Sequence, residues 1–345
     1  MNKFIYKFLL FTQKSKYFLQ KLIFIIFCIL SASNINLNAY VFEKAYVSIT
    51  DLEKNEYFDT QIKSLAKEVV YNSKGTYISE SESEKFLSEY DIIVLGTHDK
   101  INLQPGLNIR TKIIATLSIA TGHLEQIKTN YPQISIVNSP TGNVISVAEH
   151  AFAFILSLYK ELQKRHLENR SNLKKGKELM TTELCGKTIG LIGFGNTAKA
   201  VYKIAKTFGM NVIVYTAHPE KYAVNDYDVE FMSLNNVIKK CDILSLHIPL
   251  NSQTYHFIDA EKLKCCKPGM YLINVSREDL VNHDGFRTLL ETGQIGGLGL
   301  DYDHNNYDFR DFKNVWITPH IAGVTIESKI KMGNELINNI KKVLI

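Results

Sequence analysis

From residue 45 onward, short apolar runs alternate with longer stretches in which apolar residues recur at helical spacing. The runs at 45–49, 92–95, 112–117 and 134–137 read as buried strands. Residues 53–68 predict a helix with Phe58, Ile62, Leu65 and Ala66 on its inner face. Residues 144–168 predict one long helix, with Val147, Ala148, Ala151, Phe152, Ile155 and Leu158 among its apolar positions. Strand-like runs return at 188–192, 212–215, 242–247, 270–275 and 296–300, and a last helix covers 326–343. Strands alternating with helices imply an α/β protein built on parallel sheets. The pattern divides into two units joined by the long helix, and the last helix is placed to cross back to the first.

The second unit opens with a sharper signal. Ile189, Leu191 and Ile192 make a buried strand, Gly193-Phe194-Gly195 breaks it, and Ala198, Val201, Ile204, Ala205 and Phe208 line one face of a helix. Gly209 stands where a C-cap glycine belongs, and 212–215 is the next strand. This is the strand–turn–helix–strand context that a dinucleotide fingerprint requires. Gly193 allows the tight turn, Gly195 lets backbone approach a pyrophosphate, and Ala198 permits close helix–strand packing. Asn196 and Thr197 open a helix whose free N–H groups face that anion. The expected cofactor is NAD or NADP. The first unit has no glycine loop of this kind.

Composition narrows the rest. A length of 345 residues with 45% apolar content suits two domains. The net charge of +5 is uneven: residues 1–42 hold five lysines and no acid. Without those five, the 40 Lys and Arg fall to 35, equal to the 35 Asp and Glu, so no nucleic-acid footprint is expected. The five cysteines include no CxxC pair, which argues against a disulfide framework and against a metal site, and for reduced thiols in the cytoplasm. In residues 1–42 a lysine-rich stretch precedes an apolar run at 22–30 and then Ser31-Ala32-Ser33. Targeting sequence, membrane anchor and inconsequential extension all fit; the run is shorter than the ~20 residues of a membrane span. Any membrane or export contact would go through this extension alone.

Several further motifs follow in order. Asn138-Ser139-Pro140-Thr141-Gly142-Asn143 is followed by Ser146-Val147-Ala148-Glu149-His150. Leu246-His247-Ile248-Pro249-Leu250, Lys267-Pro268-Gly269 with Ile273-Asn274-Val275-Ser276-Arg277, Gly299-Leu300-Asp301, and Thr318-Pro319-His320-Ile321-Ala322-Gly323 come next. In this order they resemble the D-isomer-specific 2-hydroxyacid dehydrogenases, over about residues 44–345. The resemblance implies two doubly wound parallel-sheet domains, a Rossmann cofactor domain inserted into a flavodoxin-like substrate domain. The implied boundaries are 44–146 with 319–345 for the substrate domain and 147–318 for the NAD(P)-binding domain.

The resemblance implies hydride transfer between NAD(P) and C2 of a small D-2-hydroxy or 2-keto acid. Arg277 would clamp the substrate with its planar donor fork, and His320 would move the hydroxyl proton. Cofactor contacts would come from Gly193, Gly195, Asn196, Thr197, Thr216, His218, His247, Pro249, Val275, Ser276, Arg277, Asp301 and His320. Asp301 would face the nicotinamide ring, and His247 would position a loop near it. Ser118, Ile119 and Ala120 would hold the substrate carboxylate together with Arg277. A homodimer is also implied. His98, His166 and His283 carry no motif and read as surface residues.

Four departures matter. The family's glutamate beyond Asp301 falls on Asn306, with Asp303 or Asp308 as substitutes if the alignment shifts. Glu278 replaces the glycine usual after the arginine, where a positive φ would strain it. Ala120 and Gly122 alter the substrate loop. No acid stands at Thr216 or Ala217 for a ribose 2′-hydroxyl, while His218 and Lys221 lean toward NADP. The alternative is thus a catalytically weakened member that keeps dinucleotide binding for a regulatory or partner-binding role.

Overall fold

The computed structural model describes residues 40–96, 99–102, 104–118, 121–170, 180–222, 227–302 and 309–344. Strands β1 (Phe42–Val47), β2 (Ala66–Tyr71), β3 (Ile92–Leu95), β4 (Ile113–Thr116) and β5 (Ser135–Asn138) form one sheet in the order β2-β1-β3-β4-β5. Helices α1 (Glu56–Leu65), α2 (Ser83–Glu89) and α3 (Glu125–Asn130) accompany it. Helix α4 (Val144–Tyr159) carries the chain away, followed by α5 (Leu162–Arg170).

The second sheet has seven strands: β6 (Thr188–Ile192), β7 (Asn211–Tyr215), β8 (Glu230–Phe231), β9 (Ile243–Leu246), β10 (Met270–Asn274), β11 (Ile295–Leu300) and β12 (Val315–Ile317). Their order is β12-β11-β10-β9-β6-β7-β8, and every pairing in both sheets is parallel. Its helices are α6 (Asn196–Thr207), α7 (Leu234–Lys240), α8 (Ala260–Leu263) and α9 (Phe286–Glu291). The last helix, α10 (Ile326–Lys342), returns to the first sheet. The protein is therefore two parallel-sheet α/β domains, the second doubly wound with its strand order reversing between β6 and β9.

Each sheet is buried on both faces, which is why its strands read as continuous apolar runs. On the first, Phe58 and Ile62 of α1 meet Leu336, Ile337 and Ile340 of α10, while Leu87 and Ile127 cover the other face. On the second, Ala151, Phe152 and Ile155 of α4 pack with Val201 and Ala205 of α6; Val237, Leu263, Phe286 and Leu289 close the opposite face.

Two of the expected helices differ from the sequence expectation. The stretch 53–68 splits: the buried side chain of Asn55 accepts from the Phe58 amide and starts α1 late, and Ala66 turns extended at φ −123° to begin β2. Ala66 and Glu68 lie on that strand, paired to β1; Lys67-Glu68 masked it with helical polarity. The stretch 144–168 breaks at Glu161, in the left-handed region at φ 47°. Its amide turns back to Leu158 O at 3.2 Å, and Arg165 N to Glu161 O begins α5. Charged pairs from Glu161 to Lys164 and Arg165 support α5, which buries none of its residues. The short strands β8 and β12 went unnoticed in the sequence.

Candidate active site

The residues singled out in the second unit gather at the carboxyl ends of its strands. β6 ends at Ile192 and the chain turns at Gly193, φ +93°, where an added Cβ would lie 2.6 Å from the His247 carbonyl oxygen beyond β9. No side chain fits there. The Gly193 amide donates to Tyr215 O at 2.7 Å, joining the turn to β7, and Ala198 is fully buried beneath it. Gly195 is the N-cap of α6 and supplies no side-chain cap; around its Cβ position nothing lies within 4 Å. Open space in front of an uncapped helix start, at the point where strand order reverses, fits a dinucleotide pyrophosphate.

His247 lies against the same turn. Its Nε2 lies 2.9 Å from Ser245 Oγ, and its Nδ1 is buried with no hydrogen-bond partner among the described residues. Burial pushes its pKa down to about 4, so the ring is neutral at pH 7. An orphaned buried nitrogen beside the glycine turn leaves a polar contact for a bound cofactor to complete. Ser276 Oγ donates to Leu246 O at 2.8 Å and ties the β10 end to this loop.

Arg277 follows β10. Among the described residues its guanidinium makes one hydrogen bond, Nη1 to Ser276 O at 2.9 Å, and burial lowers its pKa without neutralising it. Most of the fork is thus unspent and partly desolvated, the condition in which a carboxylate is bound well. Buried Asn274 holds the loop: Nδ2 donates to Arg277 O at 2.8 Å and Oδ1 accepts from Ser276 N at 3.0 Å.

His320 lies exposed past β12, at φ 54°. Its Nδ1 is 3.2 Å from Asp301 O. A carbonyl only accepts, so Nδ1 carries a proton and Nε2 is the nitrogen left for proton transfer. The buried Asp301 carboxylate is the hub of this loop. Oδ1 accepts from Thr318 Oγ1 at 2.6 Å and Ile321 N at 2.8 Å, and Oδ2 accepts from Ala322 N at 2.7 Å. His150 of α4 adds Nε2 to Thr318 Oγ1 at 2.9 Å. Because Thr318 donates to Asp301, His150 donates to Thr318; burial lowers its pKa, with Asp301 opposing.

Comparison with known proteins agrees with this geometry. The profile for the NAD binding domain of D-isomer specific 2-hydroxyacid dehydrogenases matches residues 152–322. A hydroxypyruvate reductase of Thermotoga maritima is 31% identical over 279 residues, covering 78% of this chain and 89% of the relative. The chain belongs to the D-isomer-specific 2-hydroxyacid dehydrogenases. A D-3-phosphoglycerate dehydrogenase of Synechocystis is 29% identical over 81% of this chain, which spans only about half (52%) of that relative. An acyclic imino acid reductase solved with NADPH and D-Arg superposes with a TM-score of 0.74 at 26% identity, covering 87% of this chain and 97% of the other.

Within the family frame, the departures can be placed. Glu278 opens a short 3-10 turn, Glu278–Leu280, and does not take a positive φ, so glutamate is unstrained there. Ser118 follows β4 with its amide donating to Thr116 Oγ1 at 3.1 Å. Thr216 Oγ1 accepts from the His218 amide at 3.3 Å, and exposed Pro249 accepts from Thr254 Oγ1 at 2.7 Å. Ile119, Ala120, His98, Asp303, Asn306 and Asp308 lie outside the described residues.

Other residues of the site gave little sign in the sequence. His218 Nδ1 sits 3.2 Å from Glu220 Oε1, so an acid does accompany the β7 end, from a later turn than the usual position. His283 is half-buried rather than a surface residue, held by Tyr302, Phe286 and Phe309. Asn274 and His150 stood inside quoted motifs, but only the fold gives them partners.

Proposed function

We propose that this protein transfers a hydride between NAD(P) and C2 of a small D-2-hydroxy or 2-keto acid. The observation carrying the reading is an unspent, partly buried Arg277 fork after β10 together with a His320 oriented through Nδ1 after β12, on the sheet whose β6 leads into the Gly193 turn. Gly193, Gly195, Asn196, Thr197, Thr216, His218, His247, Pro249, Val275 and Ser276 would hold the cofactor, which when bound as the reduced form supplies the hydride. Arg277 binds the substrate carboxylate or carbonyl oxygen and fixes C2 in reach. His320 Nε2 gives a proton to the oxygen at C2 as that carbon is reduced, and takes one back in the oxidative direction. Asp301 keeps the histidine loop in register throughout. Hydroxypyruvate and glyoxylate are the first substrates to test. His320→Ala and Arg277→Ala should each abolish most turnover while dinucleotide affinity remains; unchanged turnover in either would overturn that residue's role.

We also infer a homodimer. α5 exposes Leu162 and Leu167 at 51% and 50%, and beside it a cavity of about 310 Å³ has Leu158, Tyr271 and Trp316 in its lining along with polar residues such as Glu161, Lys164 and Lys313. A second copy covering this face would bury the apolar surface that α5 leaves in water. Light scattering giving the mass of a monomer would refute it. The cytosol, which supplies nicotinamide cofactors, is the proposed compartment. The four described cysteines are free thiols, and no described helix is long and apolar enough to cross a membrane.

A further inference from the structure

We propose that Tyr302, backed by His283, is a positioning residue for Arg277: its hydroxyl sits between the His283 ring and the Asn274 amide that grips the arginine loop. The inference rests on the reading of Arg277 as the substrate clamp.

The contacts form a chain. Asn274, fully buried at the end of β10, holds Ser276 and Arg277 by their backbones. The same Nδ2 reaches Tyr302 OH at 3.4 Å, and that hydroxyl meets His283 Nε2 at 3.1 Å. Tyr302 is 4% exposed, and burial raises its pKa, with Glu278 adding to the effect, so it stays a neutral phenol. His283 is in turn fixed edge-on to Phe286, with centroids 5.3 Å apart, and tilted against Phe309 at 5.8 Å. A buried amide with three polar contacts has one orientation; with two it can turn more freely.

Position in the chain gives the chemistry its meaning. Tyr302 directly follows Asp301, whose carboxylate grips the His320 loop. Two consecutive residues past β11 thus serve both chemical groups, one loop each. Any shift of this dipeptide moves the arginine and histidine together, while loss of the phenol hydroxyl alone frees only the arginine. A displacement of about 1 Å in such a clamp is enough to cost on the order of a hundredfold in rate.

The test is the steady-state kinetics of the full-length Tyr302→Phe protein with hydroxypyruvate, or glyoxylate if hydroxypyruvate is not turned over. The expected result is a KM for the keto acid raised roughly ten- to a hundredfold, with dinucleotide affinity by fluorescence quenching unchanged. An unchanged keto-acid KM overturns the proposal. So does a parallel loss of substrate and dinucleotide affinity, which would mark a general structural role. If Tyr302→Phe does not fold, His283→Asn should raise the same KM, and its failure to do so overturns the proposal equally. Arg277→Lys separates the two levels. If that variant leaves the keto-acid KM unchanged, or the unaltered protein turns over neither acid, the clamp reading itself has failed. If it raises KM and Tyr302→Phe does not, only the positioning role has.

Discussion

Asp301→Asn removes a charge and one acceptor oxygen while keeping the side chain's size. In the native site both oxygens are engaged, Oδ1 by Thr318 Oγ1 and Ile321 N, and Oδ2 by Ala322 N. An amide can keep the first two or the last, and its NH₂ must then face an N–H or a hydroxyl donor. Losing one hydrogen bond to a charged acceptor and stranding its buried donor costs about 2–3 kcal/mol. That energy now restrains His320 at φ 54°, a conformation that itself costs about 1–3 kcal/mol in a non-glycine residue. With the restraint gone, the histidine loop relaxes and the productive geometry becomes a minor population. A loss of 2–3 kcal/mol corresponds to roughly a 30- to 150-fold fall in kcat. The assay is the initial rate of NAD(P)H oxidation with hydroxypyruvate, alongside thermal unfolding and dinucleotide affinity. A kcat within about threefold of the unaltered protein would refute the view that Asp301 holds the catalytic loop.

Three further outcomes are expected. Gly195→Val should fold normally, since nothing lies within 4 Å of its Cβ position, yet lose at least tenfold in dinucleotide affinity by calorimetry; equal affinity would remove the pyrophosphate site. Glu335 takes hydrogen bonds from Ser139 Oγ, Thr141 Oγ1 and the amides of Thr141 and Gly142, at 2.6 to 3.0 Å. Burial acts to raise its pKa, but these bonds win and hold it below the ordinary value. A lowered folded pKa contributes stability above the unfolded value of about 4.3 that is lost as pH falls through the folded one. Glu335→Gln should therefore be less stable by about 2 kcal/mol near neutrality, with the gap closing below about pH 4 in denaturant titrations; a gap independent of pH would contradict this. Glu220→Gln removes a carboxylate beside His218 and should shift the NADPH-to-NADH ratio of kcat/KM upward by roughly two- to fivefold, the scale of an exposed charge contact; a shift toward NADH would place Glu220 away from the ribose.

The sequence was most legible where local rules act alone. Buried strands such as Ile92–Leu95 and the Gly193–Ala198 unit announce themselves because apolar runs and glycines have direct backbone causes. Boundaries failed where tertiary contact outweighs periodicity. Lys67 and Glu68 look helical until β1 offers a parallel partner, and α4 stops at Tyr159, just before the left-handed Glu161, although helix resumes at Leu162. The site was legible as a set of motifs but not as a network. Arg277 and His320 stood out by type and context, whereas Asn274, Tyr302 and His283 matter through partners 19 to 28 residues away in the chain. Glu335 is the extreme case, since its partners lie almost two hundred residues earlier.

The most direct test of the central claim is the loss of reduced-nicotinamide absorbance when the purified full-length protein meets hydroxypyruvate or glyoxylate with NADH or NADPH. The account predicts turnover with at least one pairing, abolished in both Arg277→Ala and His320→Ala while each variant still binds the dinucleotide. A protein that binds the dinucleotide but oxidises it with neither acid, or whose turnover survives both substitutions, would contradict it.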